Sequence, residues 1–193
     1  MKTQQLLGIS YEKLLGDDLY TTFKGQYMNH PVVIKFFTDV SDQNNEYEVL
    51  DYLQKHSQKN HLFPKPYFQV EFNSENLTIS VGPENQSMNI NDVYKVIVYE
   101  YLEGFTLCET NYDKNQVFSD IQIQLYELHR LGFVYADLKK DNIIKRPHGQ
   151  YNLIDFGRTF SLNDQKFPPM EYMIDDNEIP NQDDDFKRLN FFF

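Results

Sequence analysis

Two short stretches decide the reading of this chain: Tyr135-Ala136-Asp137-Leu138-Lys139-Lys140-Asp141-Asn142, and then Asn152-Leu153-Ile154-Asp155-Phe156-Gly157. Between them lie an apolar pair, Ile143-Ile144, and a Pro147-His148-Gly149 turn; Tyr151–Ile154 forms a second apolar piece. Immediately upstream, Val117, Ile121, Leu125, Leu128 and Leu131 fall on one apolar stripe of a long helix. Asp113 and Gln116 are spaced as a capping box, and Gly132 is the stop signal.

Further out, the first half reads as strands around one helix. Leu19 to Tyr27 is rich in Tyr, Thr and Phe, with a turn at Lys24-Gly25-Gln26, and Asn29-His30-Pro31 is a second turn. Val32-Val33-Ile34-Lys35-Phe36-Phe37 is a buried strand. Ser41 or Asp42 caps a helix carrying Tyr47, Leu50 and Leu53. Strands are expected at 67–72 and 93–101, with the polar stretch 73–92 as a loop or irregular hairpin. Downstream of Phe167-Pro168-Pro169 comes an acidic stretch, then a short helix over 185–193. The strand-rich and helical halves meet near Glu103-Gly104.

The 193 residues suit one domain, or two small lobes. A hydrophobic fraction of 40% with 14 Tyr and 16 Phe supplies a core and excludes wholesale disorder. A net charge of -11 argues against nucleic acid or an anionic membrane surface as the main partner. The single cysteine, Cys108, excludes an internal disulfide framework and reads as an inert core residue. No apolar run approaches a membrane span, so the expected location is the cytoplasm. Seven acids and no base lie between 171 and 185, which points to a basic substrate or partner docking there.

The two opening stretches resemble the catalytic loop H-R-D-L-K-x-x-N and the D-F-G motif of protein kinases. Each is weak alone; in order, after Leu128-His129-Arg130-Leu131-Gly132, they are specific. The resemblance extends from about residue 15 to 189. It implies an α+β, bilobal protein kinase-like fold in one domain. The N-terminal lobe, residues 1–103, holds an antiparallel sheet with one main helix; the C-terminal lobe, 104–193, is mostly helical and truncated. The implied cofactors are ATP and Mg2+, and the implied reaction is phosphoryl transfer to a hydroxyl, most simply a serine or threonine of a protein substrate.

The same resemblance assigns roles. Asp137 orients the acceptor hydroxyl and Lys139 neutralises charge on the transferring phosphoryl. Asn142 and Asp155 bind magnesium. Lys35, in the V-A-I-K-like Val32–Lys35, contacts the phosphates and pairs with Glu46, Glu48 being the fallback. In the hinge-like Val98–Gly104, Tyr99 is the gatekeeper, and the Glu100 carbonyl and Leu102 amide face the adenine. Gly16 is what remains of the glycine-rich loop, with Asp17 and Asp18 where glycines are expected. Tyr135-Ala136 replaces the usual His-Arg, so an activation loop phosphorylated at Thr159 or Ser161 lacks its usual arginine partner. Two other readings stay open: a kinase-shaped binding or regulatory module, and a small-molecule kinase.

Overall fold

A computed structural model describes residues 8–16, 21–38, 45–82, 86–169 and 179–193. It is an α+β protein whose chain divides into two contact units: residues 1–42 with 66–101, and residues 43–65 with 102–193.

The first unit is built on five strands: β1 (Ile9–Gly16), β2 (Thr21–Tyr27), β3 (His30–Phe37), β4 (Pro66–Val81) and β5 (Gln86–Glu100). They follow the order β1-β2-β3-β5-β4 and close into a barrel. All neighbours are antiparallel except the closing pair, where Tyr11 of β1 meets Val81 of β4 in parallel. Gly82 N seals that seam by donating to Tyr11 O at 2.8 Å. Inside, Ile9, Phe23, Ile34, Phe36, Ile79, Val93, Val96 and Val98 form one apolar cluster. Phe23 and Phe36 meet edge-on at 5.8 Å, the geometry aromatic rings favour.

Three sequence expectations are sharpened or changed here. Of the two readings of the stretch 73–92, loop or irregular hairpin, the structure shows the hairpin: β4 and β5 run in register from Leu77↔Ile90 to Val81↔Gln86, with a register shift between Glu71 and Ser74. Among its described side chains, Glu75, Ser87, Asn89 and Asn91 are exposed while Ile79 and Ile90 are buried, so the period-2 signal is diluted but present. Gly25 is not a turn residue; it lies within β2, opposite Tyr11 and Val32. A Cβ there would sit 2.2 Å from Ser10 O, so glycine serves close approach of β1. The turn into β3 falls instead at Met28 and Asn29, with φ of 50° and 65°, the pair of positive values a two-residue hairpin of this hand requires. β1 itself was not anticipated.

The second unit carries α1 (Glu46–His56), α2 (Lys114–Arg130) and α3 (Gln182–Phe192). It also holds short sheets of β6 (Phe105–Thr106), β8 (Ile143–Lys145) and β9 (Tyr151–Leu153), and of β7 (Phe133–Val134) with β10 (Phe160–Ser161). The α2 stripe is as expected: Val117, Ile121, Leu125 and Leu128 are all fully buried. Asp113 caps it by accepting from Asn115 N and Gln116 N. The reciprocal half of the box is replaced, because Gln116 Nε2 donates to Asp120 at 2.7 Å. Gly132, at φ 87°, ends the turn as anticipated. The last helix starts three residues before the expected 185, where Asn181 and Asp184 form a capping box.

The helix α1 belongs to this second unit, within the stretch 43–65, although the sequence reading grouped it with residues 1–103. Its bonds explain why. Glu127 of α2 accepts from Ser57 Oγ at 2.7 Å and Gln58 N at 3.0 Å. Asn152 Nδ2 donates to Leu62 O at 2.8 Å, and Asn45 Nδ2 donates to Pro168 O at 2.7 Å. Tyr52 packs edge-on against Phe133 and Phe167. The proposed caps of α1, Ser41 and Asp42, lie outside the described residues, as do Asp17, Asp18 and most of the acidic stretch, residues 170–178. Cys108 is exposed rather than core, its thiol pushed up chiefly by the hydrogen bond with Asp141. Among the described residues, no helix is long and apolar enough to cross a membrane.

Candidate active site

The strand β7 delivers the chain to Tyr135-Ala136-Asp137, and a single 3-10 turn over Lys140–Asn142 turns it back into β8. The hairpin β8–β9 then returns it to Asp155, and Ile154 N donates to Asn142 O at 3.0 Å, tying the two motifs together.

Asp137 is nine-tenths buried and its carboxylate is held from three sides. Asn142 Nδ2 donates to Oδ2 at 2.7 Å and also to the Asp137 carbonyl at 3.0 Å. Lys139 Nζ donates to the same Oδ2 at 3.0 Å. Arg158 Nη1 approaches Oδ1 at 3.3 Å. With its amide nitrogen committed to Asp137, Asn142 offers its Oδ1 as a hard-cation ligand. An amide oxygen and the Asp155 carboxylate are donors of the type a hard cation such as magnesium takes.

Two residues of this loop hold a left-handed backbone without being glycine: Ala136 at φ 65° and Asp155 at φ 58°. Each costs on the order of 1–3 kcal/mol and persists only where the surroundings impose it. For Ala136 the surroundings are Asp185 of α3. Its carboxylate accepts from Tyr135 N at 2.9 Å and Ala136 N at 3.0 Å, and His129 Nε2 lies 2.9 Å from its Oδ2. Asp185 is 1% exposed, so it is a structural anchor and no part of a solvated acidic strip. For Asp155, the neighbouring peptide is fixed by Glu46, which accepts from Phe156 N at 3.1 Å. Of the two candidate glutamates on α1, Glu46 is fully buried and Glu48 only partly. Tyr135 OH donates to the Ile154 carbonyl, bridging the two motifs from beneath. Burial, with the Asp155 and Asp137 charges next in weight, raises the Tyr135 phenol well above its ordinary range.

The structure therefore brings together Asp137, Lys139, Asn142 and Arg158, with Asp155 tied in through Ile154 and Glu46 through Phe156. Leu102 is buried in this same unit. The remaining expected residues lie in the first unit. Lys35 is a buried residue of β3, opposite Thr22 and Ile97, with Nζ 5.9 Å from the centre of the Tyr99 ring. Glu100 is the last residue of β5, opposite Val32, and Gly16 ends β1 opposite Thr22. Thr159 and Ser161 are buried; their hydroxyls donate to Tyr135 O and Gly132 O, which removes them as accessible modification sites in this state.

Sequence reasoning missed three residues. Asp185 carried a signal, since it sits one helical turn before the buried Leu189 and so shares its inward face. Arg158 directly follows D-F-G but has no counterpart in the motif. Tyr135 was read only as a departure from the usual histidine.

Comparison with known proteins finds similarity to kinase and kinase-like sequences. Residues 83–174 match the family model described as the ABC1 atypical kinase-like domain. Over 79 residues the chain is 30% identical to Rho-associated protein kinase 1 of Homo sapiens, covering 37% of this chain and 6% of that protein. Over 63 residues it is 35% identical to serine/threonine-protein kinase UCN of Arabidopsis thaliana, and 36% identical over 63 residues to flippase kinase 1 of Saccharomyces cerevisiae. These two matches cover 33% of this chain, and 16% and 7% of the respective relatives. Together these matches support a protein kinase-like superfamily member. The alignments span only a small part of each relative's length, so what those proteins act on does not transfer with the fold.

Proposed function

We propose that this chain is an ATP-dependent phosphotransferase, working with magnesium, that moves the γ-phosphoryl group to a serine or threonine hydroxyl of a protein. The observation that carries the reading is the buried Asp137 carboxylate, oriented by Asn142 and Lys139 at 2.7 and 3.0 Å. A carboxylate so fixed can accept a hydroxyl proton, and a lysine beside it can offset charge on the phosphoryl group in flight. Asn142 and Asp155 would hold magnesium, which when bound neutralises the phosphates. Lys35 is assigned to the phosphates, and Glu100 and Leu102 to the adenine edge, by their motif positions. The two contact units are read as the two lobes of a kinase-like fold.

One observation favours a second reading, a kinase-shaped binding module. Only Gly16 remains of the glycine-rich loop, whose backbone amides ordinarily approach the phosphates. Radiolabelled ATP separates the readings, with Asp155→Asn as the control because asparagine tolerates the positive φ at this position. Label on the protein or on a generic protein acceptor, reduced about a hundredfold or more in the variant, supports the proposal. Nucleotide binding without transfer supports the binding module, and label confined to a soluble hydroxyl compound indicates a small-molecule kinase.

A further inference from the structure

The Asp137 carboxylate has two oxygens and about four lone-pair positions. Among the described residues, two donors, Lys139 and Asn142, take Oδ2, and one, Arg158, takes Oδ1. One lone-pair position is left, on Oδ1, beside the guanidinium. Neither the resemblance nor the proposed reaction gives Arg158 a task. Its position in the fold is nonetheless well fixed, because the preceding residues Asp155 and Phe156 are held by the strained φ of 58° and by Glu46. The following Thr159 is buried with its amide on Phe156 O at 3.0 Å. The side chain reaches Asp137 from that anchored turn and remains 40% exposed at the mouth of the loop. The residue before Asp137 is Ala136, so no guanidinium comes from within the loop itself.

We infer that Arg158 is a positioning residue: it fills one lone pair of Asp137 Oδ1 and so dictates where the acceptor hydroxyl must sit. This rests on the phosphotransferase reading. In the step concerned, the acceptor oxygen bonds to the γ-phosphorus of ATP while the bond from that phosphorus to the β–γ bridging oxygen breaks. ADP leaves with the bond's electron pair, and the hydroxyl proton passes to Asp137. Without Arg158 the carboxylate offers two positions on Oδ1 instead of one. A water molecule can then occupy the site that a protein hydroxyl should take, and ATP is hydrolysed in place of transfer.

The test uses the full chain with ATP, magnesium and a generic protein acceptor, comparing Arg158→Ala, Arg158→Lys and Asp137→Asn with the parent. For Arg158→Ala, kcat for transfer falls about tenfold to a hundredfold, KM for ATP stays within about twofold, and the ratio of free phosphate to phosphoprotein rises. Arg158→Lys recovers part of the loss, and added guanidinium ion at low concentration partly restores Arg158→Ala. A merely structural role moves the melting midpoint and none of these ratios. If the parent transfers and Asp137→Asn does not, yet Arg158→Ala keeps the parent's kcat and phosphate ratio, the inference on Arg158 fails alone. If the parent transfers to no hydroxyl, or Asp137→Asn transfers as well as the parent, the phosphotransferase reading fails and this inference with it.

Discussion

The barrel of the first unit and the loop at the heart of the second are held by opposite means. In the barrel, order comes from area: aromatic and β-branched side chains fill a closed cylinder, and its polar residues mostly face outward. In the loop, order comes from charge-assisted hydrogen bonds made by single buried carboxylates, Asp185 beneath Ala136, Glu46 beneath Phe156, and three donors around Asp137. Area is forgiving of which residue supplies it and indifferent to chemistry. A carboxylate that accepts two backbone amides is neither. Damage to the barrel is therefore expected to appear as lost stability, and damage to the loop as lost stability and lost chemistry together.

The largest effect that tests this contrast is a pair of substitutions. Phe36→Ala removes a fully buried ring from the barrel and should cost about 3–5 kcal/mol in denaturant unfolding. The fraction that stays folded should keep the parent's kcat. Asp185→Ala leaves two buried amides without their acceptor and should cost about 2–4 kcal/mol. It also releases the strained Ala136, so kcat should collapse even under conditions where the chain is fully folded. Equal kcat losses in the two variants, after correction for the folded fraction, would erase the distinction.

A smaller effect concerns Glu127, which shows that the second unit uses the loop's device for stability alone. The Arg130 guanidinium, with Ser57 Oγ and Gln58 N, lowers this carboxyl from 4.5 to about 2 despite its burial. A carboxylate whose folded pKa is depressed adds stability that is complete above the unfolded value and is lost as the pH falls through the folded one. Acid unfolding of the parent should thus steepen between about pH 4.5 and 2. Glu127→Gln should flatten that window while leaving transfer at neutral pH unchanged. A parallel pH dependence in the two proteins would count against Glu127 as the clamp between α1 and α2.

The same contrast explains what could be read from the sequence. The α2 stripe and β3 were legible because burial there repeats with a period that the residues display. Asp137, Asn142 and Asp155 were legible because their chemistry demands particular residue types at particular separations. Neither signal reaches β1, where Glu12, Lys13 and Leu15 blur the alternation, or the outer parts of β4 and β5, which are long, polar-faced and recognised only once paired. Asp185 was hidden for the opposite reason: surrounded by Asp183 and Asp184, it looks like a solvated acidic helix start, although it is the most buried carboxylate of the three. Arg158 became visible only when the distance to Asp137 was known, since its meaning lies in a contact 21 residues back along the chain.

The most direct test of the central claim, that the 135–142 loop is a working phosphoryl-transfer site, is single-turnover transfer from radiolabelled ATP by the parent and by Asp137→Asn. The account predicts a kcat loss of about a thousandfold, with ATP affinity and melting midpoint close to the parent's. Transfer by Asp137→Asn at the parent's rate would contradict it.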